Sequence, residues 1–142
     1  MKFKRPRNLN YPETVRFHGH DGPFLALGYI LGRHVVKIMK PRGIMDLRIT
    51  VQAKAEKPFT CMLDGLQCST FATLGKGNLL HQTGVGDNIV VKVEKGRMIR
   101  YFRMTTQAWD ICFRYGDLAK AARKIRRMPV REWWSCHDKD KG

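Results

Sequence analysis

A chain of 142 residues, of which 43% are hydrophobic, can bury the core of one ordinary domain, which excludes a disordered polybasic protein. It has no apolar run of about eighteen residues and no hydrophobic segment after its basic start, so we expect no membrane span, no secretion signal and a cytoplasmic location. The formal net charge is +15, and more than half of this excess lies in residues 1–10 and 111–142.

The chain begins with a basic segment. Residues 1–12 are predicted to form an extended arm that ends at Pro12. Residues 13–17 then form either a short helical turn or a strand, which leads into the sequence HGH.

A helix is predicted from Pro23 to about Met39, because proline is favoured at the first helical position. Gly28 and Gly32 lie four residues apart on one face of this helix. Glycine inside a helix costs about 1 kcal/mol relative to alanine, so the pair predicts that another element packs very close to the backbone here.

Three segments have the patterns of β-strands. Alternating apolar residues predict a strand within residues 44–56. Residues 88–94 and 97–104 predict two further strands, joined by a hairpin turn that contains Gly96.

The remaining segments are mostly helical. Residues 61–74 are apolar at helical spacing and predict a short helix, which a loop at 75–78 follows. A final helix is predicted over about 106–127, with the basic last turn that suits the helix dipole. The tail contains two adjacent tryptophans, which are expected to pack on the body of the protein or on a second copy of the chain.

This order of elements predicts an α+β fold: a single domain in which an antiparallel sheet packs against helices. No internal repeat and no second domain are evident. The chain divides into a basic N-terminal arm over residues 1–12, an α+β core over 13–128 and a C-terminal tail over 129–142.

The sequence His18-Gly-His20 directly precedes the predicted start of the long helix. In an extended segment these imidazoles would lie about 7 Å apart on the same side of the chain, where both can reach one metal ion or one substrate. Asp21 adds a carboxylate that can complete or orient a metal shell. The alternative is that the histidines only cap the helix.

The segment CMLDGLQ places Cys61, Asp64 and Gln67 three residues apart, and thus on one face of a helix. A cysteine thiolate is a soft metal ligand and a nucleophile. The alternative, which the pattern by itself favours, is a half-buried cysteine beside a solvent-facing Asp and Gln.

The sequence GKGN, with Lys76 and Asn78, combines flexible glycines with a positive charge and an amide. It lacks the spacing of a P-loop. A plain surface turn is an equal alternative to a ligand-binding loop.

The four cysteines form no C-x-x-C pair, and without a secretion signal we expect reduced thiols. Cys68 and Cys112 are expected to fill space as small hydrophobic residues.

Three segments together carry a family resemblance: FHGHDGPFLALGYILG, CMLDGLQCSTFATLGKGNLL and IVVKVEKGRMIRYF. Over roughly residues 13–104 the chain resembles the FmdE proteins, a family named for its association with formylmethanofuran dehydrogenase, in which similar motifs occur in this order. The resemblance implies an α+β core, commonly dimeric, with a metal-binding cleft between the HGH loop and the cysteine segment. Some members carry an extra C-terminal zinc finger, for which this chain lacks the paired cysteines.

Two of the three cleft thiols of the family are absent, since Asp21 stands in the stretch after HGH and Ala72 stands before GKGN. The resemblance thus implies a metal site made of His18, His20 and Cys61, with Asp21 as a fourth ligand or hydrogen-bond partner. These ligand types suit a divalent transition metal, with zinc as the expected ion. The other matching polar residues would bind a small anionic or carbonyl ligand: Asp64, Gln67, Thr73, Lys76 and Asn78.

The implied function is metal binding in one-carbon metabolism or in the molybdenum/tungsten formylmethanofuran dehydrogenase system, with a homodimer as the expected assembly. An alternative is a non-catalytic accessory subunit, with a degenerate site, that docks on a larger enzyme complex through its basic ends and tail. A further alternative is nucleic-acid binding through the basic ends. We do not expect it from the sequence, because no known motif is present and the basic runs contain few aromatic residues. Whether the protein is an enzyme is left open.

Overall fold

The computed structural model describes residues 3–84 and 86–138 of the chain. Residues 1–2 of the predicted arm and 139–142 of the predicted tail lie outside the described residues. The elements, in chain order, are α1 (Tyr11–His18), α2 (Pro23–Met39), β1 (Arg48–Ala53), α3 (Cys61–Thr70), β2 (Leu79–Thr83), β3 (Val90–Lys95), β4 (Met98–Met104), α4 (Thr106–Arg114), α5 (Leu118–Arg127), a 3₁₀ turn (Val130–Glu132) and β5 (Trp134–His137).

The strands form one mixed sheet in the order β2-β1-β3-β4-β5. Only the β1–β2 pair is parallel among the described strands, and the other three pairs are antiparallel. The predicted α+β single domain is therefore confirmed, as is the hairpin, in which Gly96 turns with φ +58°. The short strand β2 was not predicted, and it makes β1, α3 and β2 a crossover unit with parallel strands.

Helix α1 begins one residue before the predicted end of the extended arm. Asn10 caps it with a complete capping box, because its side chain accepts from the Glu13 N–H and the Glu13 carboxylate accepts from the Asn10 N–H. Pro12 therefore lies in the first helical turn, where its missing N–H costs nothing.

Helices α2 and α3 pack against each other at unusually short range. A Cβ atom on Gly28 would lie 2.2 Å from the Met62 carbonyl oxygen, and one on Gly65 would lie 2.3 Å from the Leu25 carbonyl oxygen. The predicted close neighbour of Gly28 and Gly32 is thus α3. Since Gly28 meets Met62 while Gly32 meets Ser69, the two helices run in the same direction, and both begin at the same end of the domain.

The prediction of a single helix over residues 106–127 is wrong, because this segment forms two helices. Gly116 adopts φ +83°, which continues no helix. Asp117 then starts α5, since its side chain accepts from the Lys120 N–H at 3.0 Å.

The two tryptophans of the tail pack on the body of the protein, which was one of the two expectations. Trp134 is 3% exposed and donates its indole N–H to the Leu27 carbonyl oxygen of α2 at 3.1 Å. Trp133 donates to the Ile125 carbonyl oxygen of α5 at 2.9 Å. All four cysteines have free thiols. None of the helices in the described residues is both long and apolar enough to span a membrane.

The substitution Gly28→Ala is expected to lower the free energy of unfolding by about 2 kcal/mol, because the clash with the Met62 carbonyl outweighs the better helix propensity of alanine. Chemical denaturation measures this difference in stability, provided that the m-value is the same for the wild type and the variant. Gly75→Ala is the matched control, since a Cβ there meets no atom within 4 Å. Equal stability of the wild type and Gly28→Ala would contradict the close packing.

Candidate metal centre

His18 is the last residue of α1, and the chain reverses direction directly after it. Gly19 adopts the left-handed conformation with φ +107°, and its N–H donates to the Val15 carbonyl oxygen at 2.7 Å. This turn folds His20 back onto His18, with 4.6 Å between the ring centroids. The HGH segment is therefore not extended, and the two rings lie closer than the extended spacing predicted.

Cys61 completes a group of three donors. It is the first residue of α3 and is 7% exposed, while His20 lies at the surface. One ligand atom from each of His18, His20 and Cys61 lies within 4.8 Å of the other two. The parallel packing of α2 and α3 explains why His20 and Cys61 lie close together, because His20 precedes α2 and Cys61 begins α3. This group can hold a metal ion.

Hydrogen bonds on the outer side of both rings fix the position of the ring hydrogens. His18 Nδ1 lies 2.6 Å from the Asp64 carboxylate, and His20 Nδ1 lies 3.1 Å from the Asp21 backbone carbonyl oxygen. Ionised carboxylates and carbonyls only accept hydrogen bonds, so both Nδ1 atoms carry the hydrogen and donate it. In the neutral rings, each Nε2 then has a free lone pair, which is the form that binds metals.

These two Nε2 atoms face each other at 3.1 Å. With both hydrogens on the Nδ1 atoms, no hydrogen lies between them, and two lone pairs at this distance repel. A cation between the rings removes the repulsion. Two nitrogen ligands of a tetrahedral zinc ion, at their usual bond length, lie about 3.3 Å apart. The donor set and the spacing therefore fit a zinc-like ion.

Asp64 is held in turn by the loop that follows α3. Gln67 donates its amide N–H to the second Asp64 oxygen at 3.1 Å and accepts the Leu74 N–H at 3.0 Å. A continuous path of hydrogen bonds thus runs from the loop backbone through Gln67 and Asp64 to His18. Such outer partners orient a ligating imidazole and fix its tautomer.

The predicted ligand-binding residues of the loop are used inside the loop. Lys76 Nζ donates to the carbonyl oxygen of Phe71 and, at 3.0 Å, to the Thr73 hydroxyl, which also accepts the Lys76 backbone N–H. Burial lowers the pKa of the Lys76 ammonium. Two of the three ammonium hydrogens of Lys76 are thus used within the loop.

Asn78 is 4% exposed and braces three backbone segments. Its amide group donates to the Ile44 and Leu47 carbonyl oxygens at 3.0 and 3.1 Å, and its oxygen accepts the Thr73 N–H at 3.0 Å. A position facing an external ligand, as the sequence suggested, does not fit this burial. Asn78 instead ties the loop to the segment before β1.

Asp21 is not part of the three-donor group, although it was expected as a fourth ligand or as a hydrogen-bond partner. Its carboxylate accepts a hydrogen bond from the Tyr11 hydroxyl at 2.6 Å. Burial, and then this hydrogen bond, raises the pKa of Tyr11, so the phenol remains the donor. The side chain of Asp21 therefore fixes the HGH turn to the start of α1, while its backbone carbonyl orients His20.

Burial raises the pKa of the Cys61 thiol, and the negative charge of Asp64 raises it further. The metal-free thiol therefore keeps its proton at neutral pH, and a bound cation must displace that proton. The effect is the opposite of the lowered pKa that a helix N-terminus gives to an exposed cysteine.

A small cleft of about 70 Å³ adjoins the centre. Besides His20 and Cys61, its walls are mostly apolar residues that come from the start of α2, the segment before α3, α4 and α5: Gly22, Pro23, Phe24, Leu25, Pro58, Cys112 and Leu118. Cys112, expected only to fill space, thus forms a wall of this cleft, and burial raises its pKa to about 12. No local pattern pairs it with Cys61, because it lies on another helix far along the chain.

One family model matches the chain over residues 17–140, and its description reads "FmdE, Molybdenum formylmethanofuran dehydrogenase operon". The match includes the HGH turn, Cys61, the loop after α3 and the final strand. A search of the curated proteins finds no match.

Replacement of Asn78 by alanine is expected to destabilise the protein by about 3 kcal/mol, because two carbonyl oxygens and one N–H lose their partner in the interior. Thermal or chemical unfolding measures this. The exposed Asn88→Ala is the control and should change stability little. If both variants unfold like the wild type, Asn78 does not brace the loop.

Proposed function

The chain belongs to the FmdE family, and we propose that it is a metal-binding member of this family whose centre holds one divalent transition-metal ion, with zinc as the resident metal. His18 and His20 would bind it through Nε2, and Cys61 through Sγ. The role of the protein would lie in one-carbon metabolism or in the formylmethanofuran dehydrogenase system. The family description, which names the operon of that molybdenum enzyme, supports this assignment.

The facing Nε2 atoms of His18 and His20 carry the proposal. In the neutral form, each ring donates its single N–H to a fixed oxygen acceptor, and the two remaining lone pairs face each other with 3.1 Å between the Nε2 atoms. Between two neutral rings these lone pairs repel each other, whereas a metal ion turns both into bonds. The adjacent Cys61 adds the soft third donor.

Among the described residues, the centre has three protein donors, as in zinc sites that leave a position open for water or a substrate. Structural zinc sites have four. Zinc in such a site acts as a Lewis acid and lowers the pKa of a bound water. The residues of this chain would supply the rest: Asp64 keeps His18 in the binding tautomer, and the apolar cleft beside Cys61 excludes bulk water. With a volume of about 70 Å³, the cleft admits a ligand of only a few heavy atoms.

Protein made without a histidine tag and stripped with a chelator is expected to bind one equivalent of Co²⁺ or Zn²⁺. Cobalt should give a thiolate-to-metal charge-transfer band that is missing in Cys61→Ala. His18→Ala and His20→Ala should lose affinity by more than the 10–100-fold typical of an outer partner, because each removes a bond to the metal. Titration followed by absorbance and calorimetry measures these effects.

His81→Gln and Cys136→Ser are the matched controls. His81 Nε2 lies 3.0 Å from the Ala53 carbonyl oxygen, and Cys136 lies exposed in β5, so neither belongs to the group. The proposal fails if the wild type takes up no metal, or if the controls lose metal as the three site variants do.

Asp64→Asn is expected to weaken metal binding about 10–100-fold without preventing folding. A carboxylate accepts from His18 with one oxygen and from Gln67 with the other, whereas an amide offers one acceptor, so one of these donors loses its partner. Competition with a chelating dye gives the affinity.

Asp87→Asn removes the same charge at an exposed site, where Asp87 pairs with Lys54. It should leave metal affinity unchanged. An equal loss in both variants would show that net charge, and not the orientation of His18, sets the affinity.

A further inference from the structure

The outer face of α5 presents a row of positive charge. The helix contains five basic residues and no acidic one. Its inner face is packed in the core through Ala121, Ala122 and Ile125, which fixes how it is turned. The four cations of the outer row lie at helical spacings of three and four and extend over about 10 Å: Lys120, Arg123, Lys124 and Arg127, all exposed.

The cations of this row form no ion pair with the described residues. Some cations elsewhere on the surface pair with carboxylates, for example Lys54 with Asp87 at 2.8 Å and Arg7 with Glu13 at 3.1 Å. No carboxylate within residues 3–84 or 86–138 forms an ion pair with any of the four. Within the described residues, these four cations are therefore available to pair with an external anion.

An aromatic ring lies beside the row. Tyr115 is 44% exposed, and Lys124 Nζ lies 5.8 Å from its ring centroid. A groove of about 410 Å³ runs between this ring, the four cations and Met128. A second groove of about 380 Å³ shares Tyr115, Lys124 and Met128, and its lining also includes Asp110, Arg114, Glu132 and the buried Trp133. Cations in line with an exposed ring are the elements with which proteins hold single-stranded nucleic acid.

We propose that the outer face of α5 binds single-stranded nucleic acid, with backbone phosphates on the four cations and a base stacked on Tyr115. The basic composition of the chain ends does not by itself favour nucleic acid as the ligand. The alignment of four cations beside an exposed ring is what favours it. A membrane surface fits less well, because the apolar face of α5 is already buried in the core and cannot enter lipid. This surface is separate from the metal centre, and the inference does not depend on the proposed metal.

The full chain should bind a labelled mixed-sequence RNA or DNA single strand of about 15 nucleotides, measured by fluorescence anisotropy between about 50 and 200 mM salt. The slope of log K against log salt should become shallower by about 2.8 in the fourfold variant Lys120→Gln/Arg123→Gln/Lys124→Gln/Arg127→Gln. Each phosphate contact on a single strand contributes about 0.7 to this slope. Tyr115→Ala should weaken binding about tenfold and leave that slope unchanged, because stacking releases no counterion.

The matched control is Lys37→Gln/Arg42→Gln/Lys57→Gln/Arg97→Gln, which removes the same charge from four exposed positions outside α5. Circular dichroism verifies that all variants fold. The proposal is supported if the control variant binds the single strand with the affinity and the salt slope of the wild type. It is overturned if the control loses as much as the α5 variant, if Tyr115→Ala binds like the wild type, or if only phosphatidylserine vesicles bind in a manner that depends on α5.

Discussion

The close packing of α2 on α3 is the constraint on which the rest of the molecule depends. Gly28, Gly32 and Gly65 remove the side chains that would otherwise keep the helices apart. Backbone meets backbone at Gly28 and Gly65, and the Ser69 side chain packs against Gly32. Because Gly65, early in α3, packs on Leu25, early in α2, the two parallel helices begin side by side. The turn before α2 and the first residue of α3 therefore share a small volume. His20 and Cys61 meet for this reason, and neither needs a long loop to reach the other.

Around this meeting point the polar groups are arranged from the outside inward. Asn78 ties the loop to the segment before β1, the loop holds Gln67, Gln67 holds Asp64, and Asp64 orients His18. Each partner along this path is a fixed acceptor or donor, so little freedom remains at the last nitrogen. The entropy cost of ordering these side chains is met during folding, so the binding of a ligand costs less entropy here than at a flexible site.

The local part of this architecture could be predicted from the sequence, and the long-range part could not. Gly28 and Gly32 indicated a close neighbour because glycine is costly in a helix, and the spacing of Cys61 and Asp64 placed them on one face. The break between α4 and α5 had a visible signal, since Gly116 followed by Asp117 combines a helix end with a cap. The roles of Asn78 and Cys112 had none, because each depends on contacts with residues distant in the chain.

The parallel pairing of β1 with β2 places the centre in a familiar topological position. The chain leaves the carboxyl end of β1, enters α3 at Cys61 and returns to run beside β1 in the same direction. In open α/β sheets, ligands collect beyond the carboxyl ends of parallel strands, where crossover helices begin. A single such unit, set at the border of an otherwise antiparallel sheet, gives this α+β domain the same kind of ligand-facing edge.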